Sequence, residues 1–465
     1  MSLLTALHAA RRGISASTEG INVVGHNTAN ATTEGFSRRT MSVSSMYPLY
    51  RNGSWLGQGV GQPSFNRVAD TFIDQRLITT IGQQSSARES FETLRLVESS
   101  LGDGSKAGIV ESYQGFMEGL KGMTVDPEDP VLQDQVVRLG EVFTSSVRNT
   151  SMFITAKLES IREDMEVAIG DINDKLATVA NLNLRLKAAG GTLALGDLQD
   201  QRDLIIRDLA ELTGVEARFQ PDGQAIVMMD GHVVVQEESF REFSYYEDSN
   251  GDPQIAIAAN SGRITITDEL AGRFGGMLEG YDVSSTLLTD LDTWTLTFAT
   301  AFNTQHQSGF DQSGNTNLDF FSVATVSSSS SFQLDSLLQQ DSSRIAAAAA
   351  VDAVTGFPDA GDRGNLDLLI DLEDAQLYGS ASNFTARQQL TSLYAGLARD
   401  IQEAENNYEM ESMRLEDIDE LRSSVSGVNL DEEAVKLMEY QASYEAAARV
   451  ISVTNRLLGE IMEIV

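Results

Sequence analysis

The chain has no cysteine in its 465 residues. Disulfides, thiolate metal sites and cysteine nucleophiles are therefore excluded. Basic residues are scarce, 33 against 68 acidic ones, for a formal charge of −35. A field of that sign repels phosphate backbones, so the molecule as a whole is not expected to bind nucleic acid. No run approaches the ~20 apolar residues of a membrane span; the longest candidate, 345–351, is mostly alanine. The first 30 residues are amphipathic and lack the unbroken apolar core of a cleavable signal peptide. The expectation is a cytoplasmic protein, or one that leaves the cell by a route needing no cleaved signal.

Catalytic motifs are missing too. No Gly-rich phosphate loop, Gly-x-Ser-x-Gly elbow or Gly-x-Gly-x-x-Gly fingerprint occurs. The four histidines, His8, His26, His232 and His306, are far apart in sequence, and none has metal-binding spacing. Their expected places are surface or loop. Asp248-Ser249-Asn250-Gly251-Asp252 begins like a calcium loop, but Pro253 stands where that loop needs Gly and Ala259 where it needs Glu. It reads as a hairpin turn, and Asp311-Gln312-Ser313-Gly314-Asn315 as another turn. Asp126, Glu128 and Asp129 sit between and beside two prolines with no aromatic run nearby to bind a sugar, which reads as a solvated turn rather than a carboxylate pair for hydrolysis. No enzyme, no cofactor and no metal are expected.

What is present lies at the two ends. Leu3, Leu7, Ala10, Ile14, Ser17, Ile21 and Val24 recur at steps of three and four, as do Leu437, Tyr440, Tyr444, Ala447, Ile451, Thr454, Leu458, Ile461 and Val465. That spacing puts one largely apolar stripe on each terminal helix and calls for a partner helix. Ser17, Thr454 and the nearby Ala and Gly residues favour segments that order on assembly over the core of an ordinary bundle. Residues 1–70 hold six Arg and three acids, whereas 425–465 hold three basic residues and seven acids. The ends are thus mildly complementary, and the acidic load falls on the middle.

Between the ends, helix is expected over 3–26, 67–101, 106–123, 131–188 (one helix or two in line, stopped by Gly190-Gly191), 197–213, 277–305 and 385–423, with a last helix after a break at 424–429. Residues 41–66 read as extended, punctuated by glycine. Strands are expected at 215–219, 225–229, 232–236, 254–258 and 263–267, separated by the hairpin signals Asp222-Gly223, Asp230-Gly231 and Asn250-Gly251. A polar stretch, 307–344, contains the serine run 327–331 and two short candidate strands. The expected fold is mostly α with an inserted small antiparallel β domain, in nested layers, the N- and C-terminal helices pairing as a coiled coil. Its domains are 1–40 with 425–465, a terminal coiled coil forming an inner tube; 41–213 with 272–424, a long-helix bundle with a small extended portion near 307–344; and 214–271, an inserted outer β domain.

The segment from Asn27 to Arg38, with Asn30, Gly35 and Phe36, follows an amphipathic helix. It resembles the Asn-rich, Gly-aromatic-Ser/Thr-Arg signature of flagellar rod, hook and hook-associated proteins. Ser424-Val425-Ser426-Gly427-Val428-Asn429-Leu430-Asp431-Glu432-Glu433-Ala434, continued by residues 440–451, resembles the hook-associated protein 1 family of hook–filament junction proteins. Asp200-Gln201-Arg202-Asp203, residues 303–311 and Asp319-Phe320-Phe321 are similar to further stretches of that family. Thr28, Glu34 and Arg39 depart from it, standing where Ile, Pro and Gln are common. The compact segment after the β insertion suggests that the large outer domain of longer relatives is absent.

The resemblance implies a structural subunit assembling at the distal end of the hook by helical self-association of its terminal helices, exported through the flagellar type III apparatus to an extracellular place in the flagellum. The partners it implies are other copies of the chain, the flagellar hook protein, the second junction protein (hook-associated protein 3) and an export chaperone at the C-terminal helix. Assembly residues are expected at Leu3, Leu7, Ile14, Ile21, Val24, Asn27, Asn30, Gly35, Phe36, Arg38, Leu437, Tyr440, Tyr444, Ile451, Leu458 and Ile461, with Arg38 bonding a neighbour. The alternatives are another axial subunit such as hook-associated protein 3, or a secreted hydrolase on an axial scaffold.

Overall fold

The computed structural model describes residues 3–51, 54–100, 108–189, 193–259, 262–267, 270–322, 328–378 and 383–464. Gly190-Gly191, Ser327, Val465 and the helix ends expected at 101 and 106 lie outside them. In chain order the elements are α1 (Leu3–Ala29), β1 (Arg39–Ser42), β2 (Leu49–Arg51), β3 (Ser54–Leu56), β4 (Ser64–Arg67), α2 (Thr71–Ser100), α3 (Ile109–Met123), α4 (Pro130–Ala189) and α5 (Leu193–Thr213). Then come β5 (Glu216–Phe219), β6 (Ala225–Met229), β7 (His232–Gln236), β8 (Ser239–Phe240), β9 (Phe243–Glu247), β10 (Pro253–Ala259) and β11 (Gly262–Thr265). The chain closes with α6 (Gly272–Ser308), α7 (Ser336–Gln340), α8 (Gly364–Asp371), α9 (Ala386–Ser426) and α10 (Leu430–Ile464). The fold is mostly helical with small antiparallel sheets inserted, and its first and last helices pack together. Among the described residues no helix is long and apolar enough to cross a membrane.

Several helix starts are fixed by side-chain caps. Asp70 Oδ1 accepts the Phe72 N–H at 2.9 Å, which starts α2 at Thr71 rather than at 67 and leaves Arg67 on a strand. Asp129 Oδ1 accepts the Val131 N–H at 2.8 Å, and Pro130 occupies the first turn of α4, where a missing N–H costs nothing. The 126–129 turn is therefore a helix start. The first helix runs past 26 to Ala29, because the Asn30 N–H bonds the His26 carbonyl and the Asn27 side chain points away from its own backbone. Likewise α9 continues to Ser426, so the expected break shortens to Gly427–Asn429, and Asn429 Oδ1 caps α10 through the Asp431 N–H at 3.0 Å.

The structure forms two compact units. The first contains residues 1–86, 168–275 and 410–465. In it β5-β6-β7-β8 make a four-stranded sheet and β11-β10-β9 a three-stranded one. Asp230 and Gly231 both have positive φ, 44° and 71°, as a two-residue primed turn between β6 and β7 requires. The Asp248 carboxylate accepts the N–H groups of Asn250 and Asp252, at 2.7 and 3.0 Å, and so closes the β9–β10 hairpin. The expected strands are all present. Two more, β8 and β9, sit among the charged residues 237–247, whose polarity hides them from a hydrophobic count. The chain leaves for this insertion at Gly214 and returns at Gly272, where an added Cβ would lie 2.7 Å from the Gly214 nitrogen.

The second unit contains residues 87–167 and 276–409. Its core is aromatic: Phe116, Phe143, Trp294, Phe298, Phe320 and Phe321 are all buried. Many of the rings meet edge to face, as Phe143 does Phe298 at 5.8 Å between centroids. The short strands expected within 307–344 are only isolated bridges, Phe310 with Ala348 and Phe321 with Leu334. Side chains hold this region instead. Asn303 Oδ1 accepts the N–H groups of Phe320 and Phe321, and its Nδ2 donates to the Phe321 carbonyl at 2.7 Å. His306, expected at a surface or in a loop, is fully buried: Nδ1 donates to the Leu318 carbonyl at 2.7 Å and Nε2 accepts the Ala346 N–H at 3.0 Å. Its fold position, one turn beyond Phe302, places it against the Phe320 ring.

Candidate functional site

The terminal stripes find each other within one chain. α1 and α10 run antiparallel, with Asn27 beside Glu433 and Gly13 facing Ala447. Small residues line the α1 side: Ala10, Ala16, Ser17 and Gly20 are buried together with Val23 and Val24. They let the helices approach closely, since the distance between packed helices follows the side chains at the contact. Tyr440 takes up the space left at Gly20, where an added Cβ would stand 2.5 Å from its ring. Leu3, Leu7, Ile14 and Ile21 are half-buried and flank this strip. On α10, Leu437, Tyr440, Ile451 and Leu458 are half-buried along one face, and Thr454 is buried among them. Tyr444 and Ile461 are more exposed, at 42% and 49%. The heptad count missed Ala16, Gly20 and Val23, because small residues carry little hydrophobic signal.

One end of the seam is locked by polar groups. Asn27 uses both ends of its amide on one residue: Oδ1 accepts the Arg39 N–H at 2.8 Å, and Nδ2 donates to the Arg39 carbonyl at 2.9 Å. The same Nδ2 reaches Glu433 Oε2 at 3.0 Å. Glu433 is buried and also paired with Lys436 at 2.8 Å. Arg38 is bonded within the chain: its N–H bonds the Ser426 carbonyl at 2.8 Å, and its guanidinium pairs with Glu432 at 2.9 Å. These acids stand in the first turn of α10, where the helix dipole favours negative charge. Asn30 bonds locally to the His26 carbonyl.

Behind this lock lies a network that connects the first signature to Asp200-Gln201-Arg202-Asp203. Arg39 is only 2% exposed and pairs with Asp200 at 2.5 Å and Asp197 at 3.3 Å. Asp200 also takes Arg67 at 2.8 Å and the Ser37 N–H at 3.3 Å. Arg67 continues to Asp203 at 2.7 Å, which Arg202 pairs at 2.6 Å. Arg422 joins from α9, donating to the Gly35 carbonyl at 3.2 Å and pairing with Asp74 at 3.4 Å. Gly35 has φ 74°, a left-handed conformation suited to glycine. Phe36 closes the loop, with the Arg39 guanidinium 5.0 Å over its ring and His26 beside it.

Burial raises the Asp74 carboxyl above its usual range, with Asp203 adding to it and Arg67 and Arg422 opposing. Burial also lowers Arg207, helped by Arg422. Burial works against the Arg67 charge too, but Asp203, Asp200 and Asp74 outweigh it and hold that guanidinium above its ordinary value. The carboxylates are committed to guanidinium groups, so the arrangement positions chain segments. Among the described residues no group of three or more His, Asp or Glu could hold a metal ion. Sequence reading singled out Asn27, Gly35, Phe36 and Arg38 and missed Asp74, Arg67, Arg207 and Arg422. The available signal was charge on an otherwise apolar face, as at Asp74 between Ile73 and Leu77.

Residues 94–321 match the family model described as the flagellar hook-associated protein FlgK helical domain, and residues 421–464 match that of the flagellar basal body rod FlgEFG protein C-terminal. The chain is similar to flagellar hook-associated protein 1 of Salmonella typhimurium, 24% identical over 98% of this chain and 99% of that protein. It is similar to the Bacillus subtilis protein of the same name at 23% identity, over 99% and 98%. The solved flagellar hook junction protein FlgK from Burkholderia pseudomallei shares the fold, with a TM-score of 0.66 and 13% identity, covering 76% of this chain and all of that one.

Proposed function

We propose, from the premise that the chain belongs to the flagellar hook-associated protein 1 family, that its paired terminal helices are the surface by which it assembles. Its role is structural, at the junction between hook and filament. In our reading, residues 1–40 with 425–465 form the assembly domain, 41–213 with 272–424 the helical body, and 214–271 an outer insertion. Copies associate head to tail into a ring or helical layer, with α1 and α10 forming the inner wall of a tube. The hook protein lies on one side and the second junction protein, hook-associated protein 3, on the other. A chaperone covers the C-terminal helix before export, and the protein carries no catalytic activity.

The observation that supports this best is the seam itself. α1 and α10 form a pre-paired unit, and Arg38–Glu432 and Asn27–Glu433 set its register. A helix pair of fixed register can repeat identically in every copy. The test is a strain lacking this protein. It should build hooks without filaments, and the intact chain should restore filaments where a chain ending at residue 429 does not. Normal filaments in the strain, or full rescue by the shortened chain, would refute the reading.

A further inference from the structure

Two surfaces of the first unit are exposed among the described residues. One is a ribbon. Residues 40–66 contain a single charged residue, Arg51, in a chain of net charge −35. The strands β1 and β4 pair, the ladder continues through a Ser45–Val60 bridge, and β2 and β3 form the tip. The ribbon starts at Arg39, held by Asn27, and returns along α1. The Arg12 guanidinium donates to the Gln58 carbonyl at 3.1 Å, and Gly59, with φ 81°, lies so close that an added Cβ would be 3.0 Å from Ala9 Cα. The ribbon therefore carries its tip toward the amino-terminal end of the seam. There Tyr47 is 93% and Trp55 70% exposed, and Leu49 and Tyr50 are exposed with them. Tyr50 and Trp55 rings meet at 5.0 Å between centroids, which makes an aromatic pair of these two side chains. Exposed Tyr and Trp in such a cluster are characteristic of binding hot spots.

The other surface is the outward face of α10. Val435, Met438, Val450, Val453 and Leu457 are all exposed, at steps that place them in one sector of the helix. The 100° advance per residue turns the middle of this stripe well over a quarter turn from Leu437, Ile451 and Leu458, which face α1. So α10 has two apolar faces, and the fold covers one. Residues 425–465 hold seven acids against three basic residues. An acid-free aromatic ribbon can approach that face without like-charge repulsion, whereas most of this acidic chain cannot.

We infer that the aromatic tip of one copy docks on the outward stripe of α10 in a neighbouring copy. Both surfaces adjoin the α1–α10 seam, so the contact would extend that seam from one copy to the next. The two patches are different, so the contact is head to tail and propagates around a ring or helix. This rests on the proposed self-association and names the surfaces that carry it.

The test places a photo-crosslinking amino acid, p-benzoylphenylalanine, at Trp55 and separately at Val453 of the full chain, in cells that build flagella. Both sites are exposed, so neither substitution touches the buried core of the unit, and the aromatic photoprobe keeps a ring beside Tyr50 at position 55. On illumination of isolated flagella, both positions should give a product of two copies. The Trp55 product should map to residues 435–461 of the second copy and disappear when Val453→Asp is added. A Trp55 product with another protein or another segment, or no Trp55 product, while Val453 still links two copies, would overturn the docking and leave self-association standing. No copy-to-copy product from either position in flagella that contain the protein would overturn both.

Discussion

At the scale of single residues, the same device recurs in four places. Asn27, Asn173, Asn183 and Asn303 each turn a side-chain amide onto the backbone of a passing segment, giving an N–H and accepting one, as a β partner would. Asn173 holds Phe243 and Asn183 holds Ala225 in this way. His306 does similar work with its two ring nitrogens, and this makes it sensitive to pH. Burial pushes its pKa down to about 4 from 6.5. The unfolded chain therefore takes up the proton first as the pH falls. The stabilisation is complete above about pH 6.5 and is lost progressively toward pH 4. The difference corresponds to on the order of 3 kcal/mol. Urea unfolding of the wild type and His306→Gln should show it: the gap between their stabilities shrinks between pH 6.5 and 4, and a gap independent of pH would contradict the assignment. Asp200 is the residue on which the ionic network depends most, because it serves Arg39, Arg67 and the Ser37 N–H together. Asp200→Ala leaves two buried guanidinium groups short of a partner. The expected cost is about 3–5 kcal/mol. Loss of hydrogen-exchange protection should centre on residues 35–40 and 64–67; a change under ~1 kcal/mol would show that the network contributes little.

At the scale of elements, the terminal seam is narrow. α10 is exposed on every face but the one that meets α1, so its ordering depends on a single strip of contacts. Ile451 lies on that strip. Ile451→Asp should lower hydrogen-exchange protection across residues 3–29 and 430–464. The aromatic core of the second unit shares none of these contacts, so its thermal transition should hold. Cells carrying the variant should make hooks without filaments. Wild-type protection of both helices would remove Ile451 from the seam. The long α4 makes the contrast: Ile161, Met165, Ile172, Leu176 and Val179 on its covered face are all buried.

At the scale of the whole molecule, the β insertion tests how separable the units are. Gly214 and Gly272 touch, so closing the chain without the insertion costs little loop entropy. The insertion nevertheless satisfies Asn173 and Asn183. Replacing residues 215–270 with a short Gly/Ser link should therefore lower the stability of the first unit while leaving the acid-sensitive transition of the second, reported by its tryptophan Trp294, unchanged. Calorimetry with fluorescence would separate the two; loss of the Trp294 transition would show that the insertion supports both units.

The sequence alone determined the elements that rest on local pattern. Three-and-four spacing revealed both terminal helices and α4, because burial of one face imposes that period on any helix. Asp-Gly and Asn-Gly pairs revealed the hairpins, because few residues accept positive φ. The signature around Asn27 and Arg38 pointed to the family. Tertiary structure alone decided what those residues touch. Arg38 was expected to bond a neighbour and Arg39 stood out only as a departure from the family pattern, yet Arg38 binds Glu432, nearly four hundred residues away, and Arg39 is buried beside Asp200. His306 carried no sequence sign of burial, and β9 was hidden by its charged flanks. Periodicity reports which face of an element is covered. It cannot report which distant segment covers it, and buried charge is legible only once its partner is in place.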